Sequence, residues 1–186
     1  MKNTGELVKF IELSLENAFR IETEPLKDTR GFFNRLFCAE EFSRNNLPTF
    51  WPQCNSSFTS YSGTIRGLHF QFAPDAETKL IKCINGAVFD VIVDLREGSP
   101  TFSQWHAEKL DYSKQTMICI PAGFAHGFQT LTPNVEMLYF HSTPYRPEYE
   151  GGLRWNDKTL KINWPLELTE ISARDAGLPF LSEIRQ

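Results

Sequence analysis

In the stretch "AVFDVIVDL", residues 87 to 95, Phe89, Val91, Val93 and Leu95 fall on one face of an extended chain, and Asp90, Ile92 and Asp94 on the other. The pattern predicts a strand lying between a dry side and a partly polar side. Comparable short runs recur: "AFRIETEP", "GFFNRLF", "FWPQCNSSFTS", "GTIRGLHFQF", "KLIKCI", "QTMICIPAGFAHGFQTL" and "VEMLYFHS". Turn formers punctuate them, with "NG" at 85–86, "EGSP" at 97–100 and "PAG" at 121–123. "CAEEFSRN" reads as a short helical patch. Many short strands at this spacing predict a mainly β protein, an antiparallel sandwich or barrel of the jelly-roll kind with a few short helices. The final third is less regular, with several Pro, Gly and Trp, and is expected to wrap the barrel and to carry a short helix near its end. No repeat or linker-like stretch divides the chain, and 186 residues suit a single domain over 1–186 with a sizeable core.

Charge and cysteine usage narrow the function. Nineteen basic against 23 acidic residues give a net charge of -4. The chain as a whole is therefore a poor polyanion binder and no nucleic-acid partner is expected, although a local basic site for one small anionic ligand remains open. Cys38, Cys54, Cys83 and Cys119 are scattered, with no C-x-x-C pair, and are expected to be reduced, buried thiols of a cytoplasmic protein. Glu6, Lys9 and Glu12 interrupt the apolar stretch near the N-terminus, which argues against a signal peptide. No apolar run approaches the length of a membrane span, so no membrane partner is expected.

The polar residues inside the strand runs carry the chemical information. Arg66 and His69 interrupt the apolar positions of "SGTIRGLHFQF", and strands that merely close a core seldom carry two such cations. Glu77 and Lys79 enter the next run, His126 sits in "PAGFAHGF", and Tyr139 sits in "VEMLYF". In a jelly roll the inward side chains of these runs can meet in one cavity. A metal site is one reading. The series Gly63, His69, Glu77, Gly86 and Pro121-x-Gly123-x-x-His126 has cupin-like spacing, but Gln71 stands where a metal-loaded cupin usually has a second histidine. His69, Glu77 and His126 remain as candidate ligands, with Arg66 and Lys79 disfavouring a dication beside them. The other reading is acid–base chemistry without metal. A histidine and a tyrosine facing each other supply a base and an acid, a lysine can stabilise an oxyanion, and an arginine can grip phosphate. This set suits proton abstraction beside a carbonyl on a substrate with a phosphate handle. No Gly-rich dinucleotide fingerprint follows a strand, and no cofactor or metal is expected.

The strings "DTRGFFNRLF", "QCNSSF", "GTIRGLHFQ", "KLIKCINGAVFDVIVDLREGSPTF", "IPAGFAHGFQTL", "LYF", "WNDKTLKINWP" and "ISARD" occur together and in order, from about residue 18 to residue 181. In this the chain resembles the dTDP-4-dehydrorhamnose 3,5-epimerase family, whose fold is a cupin-type jelly-roll β-barrel. The resemblance implies an isomerase that acts on a nucleotide-diphosphate 4-keto-6-deoxy sugar and inverts carbons 3 and 5. It matches His69 to the general base, Asp175 to its carboxylate partner, Tyr139 to the acid on the opposite face and Lys79 to the stabiliser of the enolate. For substrate binding it matches Arg30 to a phosphate contact and Phe32 to an aromatic stacked on the base from a neighbouring subunit. Gln53, Asn55, Arg66, Glu77, His126 and Tyr145 match the remaining pocket positions. A homodimer that exchanges N-terminal strands is implied as well.

The chain departs from the family pattern in three places. Arg35 stands where many members carry Glu, the loop "NSSFTSYSG" is one residue longer than the commonest form, and "HSTPY" replaces the usual stretch after the acid tyrosine. Inversion at one carbon of another nucleotide ketosugar is therefore an alternative. A metal-dependent cupin oxygenase, or a sugar-nucleotide binder, is a reading from a different class. His106 and His141 have no supporting context in the sequence and are expected in structural or surface roles, and the tryptophans of "WNDKTLKINWP" as packing anchors.

Overall fold

Strand-forming runs separated by turn formers leave the chain little choice but to pair with itself in short antiparallel segments. The computed structural model describes residues 8–184, so Glu6 lies outside the described residues. In chain order the elements are β1 (Val8–Glu12), β2 (Phe19–Thr23), β3 (Leu26–Asp28), β4 (Gly31–Phe33), α1 (Ala39–Arg44), β5 (Gln53–Thr59), β6 (Ile65–Gln71) and β7 (Lys79–Asn85). There follow β8 (Ala87–Asp94), β9 (Trp105–Asp111), β10 (Thr116–Ile120), β11 (Phe124–Thr130), β12 (Val135–His141), β13 (Glu150–Gly152) and α2 (Ala173–Ala176). The strands form a six-stranded sheet in the order β1-β2-β10-β7-β12-β5 and a five-stranded sheet in the order β13-β6-β11-β8-β9, with β3 and β4 as a separate hairpin. The non-sequential neighbours are those of a jelly roll, as the strand spacing predicts.

Alternation along each strand decides what lies between the sheets. Val88 and Ile92 of β8 point inward and join Ile81, Ile118, Val135 and Met137 in an apolar cluster. Val91, Val93 and Leu95 point outward, as the sequence pattern requires, against Leu153 and Leu160, with Ile162 and Trp164 packed alongside. The C-terminal segment thus covers the outer face of the five-stranded sheet. Trp105 fastens it by donating from Nε1 to the Leu160 carbonyl at 2.9 Å. The outer face of the six-stranded sheet is covered by Phe42 of α1 together with Phe37, Leu47 and Trp51, packed on Leu80 and Met117. Each fully buried aliphatic side chain contributes roughly 1.5–3 kcal/mol, which is why these faces dominate the choice of register.

At the "NG" turn, Gly86 has φ +77°, and a Cβ there would lie 2.6 Å from Thr132 Oγ1. Glycine therefore joins β7 to β8 where another residue would be strained and crowded. The thiols are all free, and Cys83 and Cys119 are buried, but Cys54 is exposed and Cys38 only partly covered. The expectation of four buried thiols is corrected for these two: Cys54 lies on β5, at an edge of its sheet, where no strand packs over it. Among the described residues no helix is long and apolar enough to cross a membrane.

Candidate active site

Between the sheets, beyond the apolar cluster, opens a cavity of about 790 Å³. Phe128 and Tyr139 line it and also pack on the cluster, so its floor is continuous with the core. The volume lies within the range of small-molecule sites.

The puzzle of two cations in one strand run is resolved by the register of β6. Residues 66 and 69 of a regular strand face opposite sides of the sheet. Here His69 pairs with His126 of β11 while Arg66 pairs with Phe128, so β6 spends three steps where β11 spends two. The extra residue is a bulge, which re-aims the side chains beyond it. Gly67 makes it, with φ +107° and no room for a Cβ, which would lie 2.7 Å from the His126 carbonyl oxygen. Arg66, His69 and Gln71 consequently all line the cavity, while Leu68 packs into the outer cluster and Phe70 borders both.

His69 Nε2 lies 2.8 Å from Asp175 Oδ1. Asp175 reaches this position on α2, a single turn capped by Ser172, whose hydroxyl accepts the Asp175 N–H at 3.0 Å. Its other oxygen, Oδ2, accepts the N–H of Gly67 at 3.0 Å. Burial pushes the Asp175 carboxyl up, but His69, the Gly67 N–H and Arg174 outweigh it and hold the group well below the usual carboxylate range. Among the described residues, nothing is hydrogen-bonded to His69 Nδ1.

Tyr139 approaches from the other sheet. Its hydroxyl lies 2.9 Å from Ser57 Oγ, and burial in the cavity wall pushes the phenol pKa up, so the group keeps its proton at neutral pH. Lys79, at the start of β7, donates to the His69 carbonyl at 3.0 Å and pairs with Glu77 at 3.0 Å. Two of its three N–H bonds are thus committed. His126 shares a 2.8 Å hydrogen bond with Asp90 and lies 6.4 Å from Tyr139, ring to ring. Arg66 donates to Thr59 Oγ1 at 2.9 Å and to the Phe58 carbonyl at 3.1 Å, both at the end of β5, so most of the stretch read as a loop from the sequence is strand.

The remaining candidates divide into two groups. Asn55 lines the cavity, Gln53 stands beside it and accepts the Tyr145 N–H at 2.8 Å, and Tyr145 closes the rim by donating to Glu150 at 3.1 Å. Arg30 and Phe32 do not line the cavity. They stand on the β3–β4 hairpin, where Arg30 pairs with Asp28 and Phe32, Phe33 and Leu26 are all exposed. Arg35 pairs with Glu41 at 3.1 Å.

The three candidate metal ligands do not converge. His69 is turned to Asp175, His126 to Asp90 and Glu77 to Lys79, and among the described residues no three metal-ligating side chains form a group. Gln71 is buried and accepts the Arg146 N–H at 2.6 Å, so it anchors a loop.

Sequence reasoning missed His141, expected in a structural or surface role. It stacks on Tyr139, 6.4 Å between rings and 23° between planes, and burial holds its pKa down at about 4. Its place two residues beyond Tyr139 on one strand was the available signal. Arg174 and Glu150 were missed as well, and both line the cavity.

Comparison with known proteins yields a consistent set of likenesses. The family model described as dTDP-4-dehydrorhamnose 3,5-epimerase matches residues 12–183. The dTDP-4-dehydrorhamnose 3,5-epimerase of Sinorhizobium fredii is 39% identical over 176 residues, which cover 94% of this chain and 90% of that protein. The crystal structure of the Bacillus anthracis enzyme of that name, with TDP and PPi bound, superimposes with a TM-score of 0.91 at 40% identity, covering 94% of this chain and 99% of the other. A 3′-monoepimerase, ChmJ of Streptomyces bikiniensis, in complex with dTDP-quinovose, superimposes with a TM-score of 0.83 at 32% identity, covering 91% and 86% of the two chains.

Proposed function

This chain belongs to the dTDP-4-dehydrorhamnose 3,5-epimerase family, a family of isomerases, and on that premise we propose that it inverts carbons 3 and 5 of a dTDP-linked 4-keto-6-deoxy sugar, without a cofactor, by proton transfer through an enolate. The carbon-4 ketone acidifies the hydrogens on both neighbouring carbons, so one base and one acid on opposite faces of the ring serve either centre. The observation that carries the reading is the meeting of His69 and Tyr139 from opposing sheets in one cavity.

The division of labour follows from the state in which each group is held. With Nε2–H bonded to an ionised Asp175, the Nδ1 lone pair of His69 takes the proton, and the carboxylate stabilises the imidazolium that forms. The phenol of Tyr139, kept protonated by burial, delivers a proton from the other side. The uncommitted N–H of Lys79 stabilises the enolate oxygen. Arg66, Gln53, Asn55, Glu77, His126 and Tyr145 hold the sugar and the diphosphate. Residues 1–186 act as one domain of a cytoplasmic homodimer, in which Arg30 and Phe32, on their exposed hairpin, reach the ligand of a second copy. The likeness to a 3′-monoepimerase keeps inversion at carbon 3 alone as the second reading.

The test is incubation of the ketosugar in deuterated water. Deuterium should enter at carbons 3 and 5, or at carbon 3 alone on the second reading, and His69→Asn should slow entry by about 10²–10⁴-fold. Absence of exchange in the wild-type protein with dTDP-, CDP- and GDP-linked ketosugars overturns the proposal.

A further inference from the structure

One nitrogen of the proposed base has two neighbours that make opposite demands. His69 Nε2 lies 2.8 Å from Asp175 Oδ1 and 2.9 Å from Arg174 Nη2. An ionised carboxylate only accepts hydrogen bonds and a guanidinium only donates them, whereas a neutral ring nitrogen carries either a hydrogen or a lone pair. Both contacts cannot be satisfied at once. The competing groups come from consecutive residues of α2. Arg174 is held in place although its side chain is 57% exposed. Its Nε reaches Asp175 Oδ1 at 3.2 Å and its Nη1 reaches Glu150 Oε1 at 3.1 Å, and Glu150 is steadied in turn by the Tyr145 hydroxyl.

We propose that Arg174 is a positioning residue that selects the tautomer of His69: seated on Nε2 it keeps the ring in a resting form, and its withdrawal arms the base. The inference rests on the reading of His69 as that base. When Arg174 donates to the Nε2 lone pair, the ring hydrogen sits on Nδ1, and Nδ1 has nothing with which to take a proton. Asp175 tolerates this form, because the Gly67 N–H and Arg174 Nε still serve it. When the hydrogen moves to Nε2, Asp175 gains a charge-assisted bond, Nδ1 is freed, and Arg174 must leave. Glu150 retains the guanidinium during that movement, so the change costs one contact and not the whole anchor. Once Nδ1 has accepted the substrate proton, the imidazolium repels the guanidinium and prevents its return until the proton is passed on. Of the other charges nearby, Lys79 donates to the His69 backbone carbonyl and not to the ring.

The test is nitrogen NMR of the imidazole in the full-length protein, at a pH where the ring is neutral, with the His69 signal assigned by its loss in His69→Asn. In the wild type a substantial share of His69 should carry its hydrogen on Nδ1. Arg174→Met should shift the ratio toward the Nε2–H form by about tenfold or more, the worth of one hydrogen bond to a charged group. Glu150→Gln, which loosens the anchor and leaves Arg174 in place, should shift it the same way by less. A wild-type ring already wholly in the Nε2–H form, or a ratio unmoved by Arg174→Met, overturns the proposal. Deuterium exchange into the ketosugar is read separately. If it is absent while the tautomer shift is present, the enzymatic reading fails, and with it the arming of a base, and only the selection of the ring tautomer by Arg174 stands.

Discussion

His126 and Asp90 share a 2.8 Å hydrogen bond with 6% and 0% of their side chains exposed. They sit on neighbouring strands, His126 in the cavity wall and Asp90 behind it. Burial pushes the Asp90 carboxyl up, His126 opposes that, and the second oxygen, Oδ1, is buried without a partner. The pair is thus a tight contact in a costly place. Asp90→Ala strands a buried imidazole and should destabilise the protein by about 2–4 kcal/mol, read from the urea midpoint. An unchanged midpoint would mean the pair contributes nothing net to the fold.

Tyr139→Phe separates proton removal from inversion. The variant loses one hydrogen bond to Ser57, worth about 0.5–1.5 kcal/mol, and should fold. His69 can still remove a proton and return a deuteron to the same face. Epimerised product should fall about 10²–10⁴-fold while deuterium entry into unepimerised sugar continues. Loss of both in equal measure would place the phenol outside the acid role.

Gly67→Ala tests the bulge. The residue occupies φ +107°, and the new methyl would meet the His126 carbonyl oxygen at 2.7 Å. We expect about 2–3 kcal/mol of destabilisation in thermal or urea unfolding. Turnover should fall out of proportion to the loss of fold, because Arg66 and His69 share a face only through this residue. Wild-type turnover in a folded Gly67→Ala protein would contradict that.

His141 gives the stability curve a recognisable limb. Its pKa falls from about 6.5 to about 4 on folding, through burial first and then Lys79 and His126. Between those values the unfolded chain binds the extra proton, so stability declines as pH drops from 6.5 toward 4 and this contribution is constant below. His141→Gln should flatten that limb by on the order of 1–2 kcal/mol, allowing for solvent screening of a partly exposed ring. Parallel curves for the two proteins would refute the assignment.

Much of the architecture could be read from alternation. The two faces of β8 were visible in "AVFDVIVDL" because burial of Val91, Val93 and Leu95 under the C-terminal segment demands an apolar row. The convergence of His69, Lys79, His126 and Tyr139 followed from strands sharing one interior. What escaped was whatever depends on geometry between distant segments. The bulge at Gly67 is a matter of register against β11, and no periodicity within β6 reveals it. Arg174 meets His69 across 105 positions of sequence, so its contact had no local mark. Arg30 and Phe32 were assigned to the ligand through the family resemblance, and in the single chain they stand away from the cavity.

The helix that brings Asp175 to His69 lies behind every strand in chain order. During synthesis both sheets can therefore be laid down before the carboxylate emerges from the ribosome. A polypeptide clipped ahead of Ser172 would retain all the described strands and the phenol, yet lose one side of the cavity and hold an imidazole with no counter-charge. Sensitivity to C-terminal proteolysis and loss of catalysis should then run together, well in advance of any collapse of the barrel.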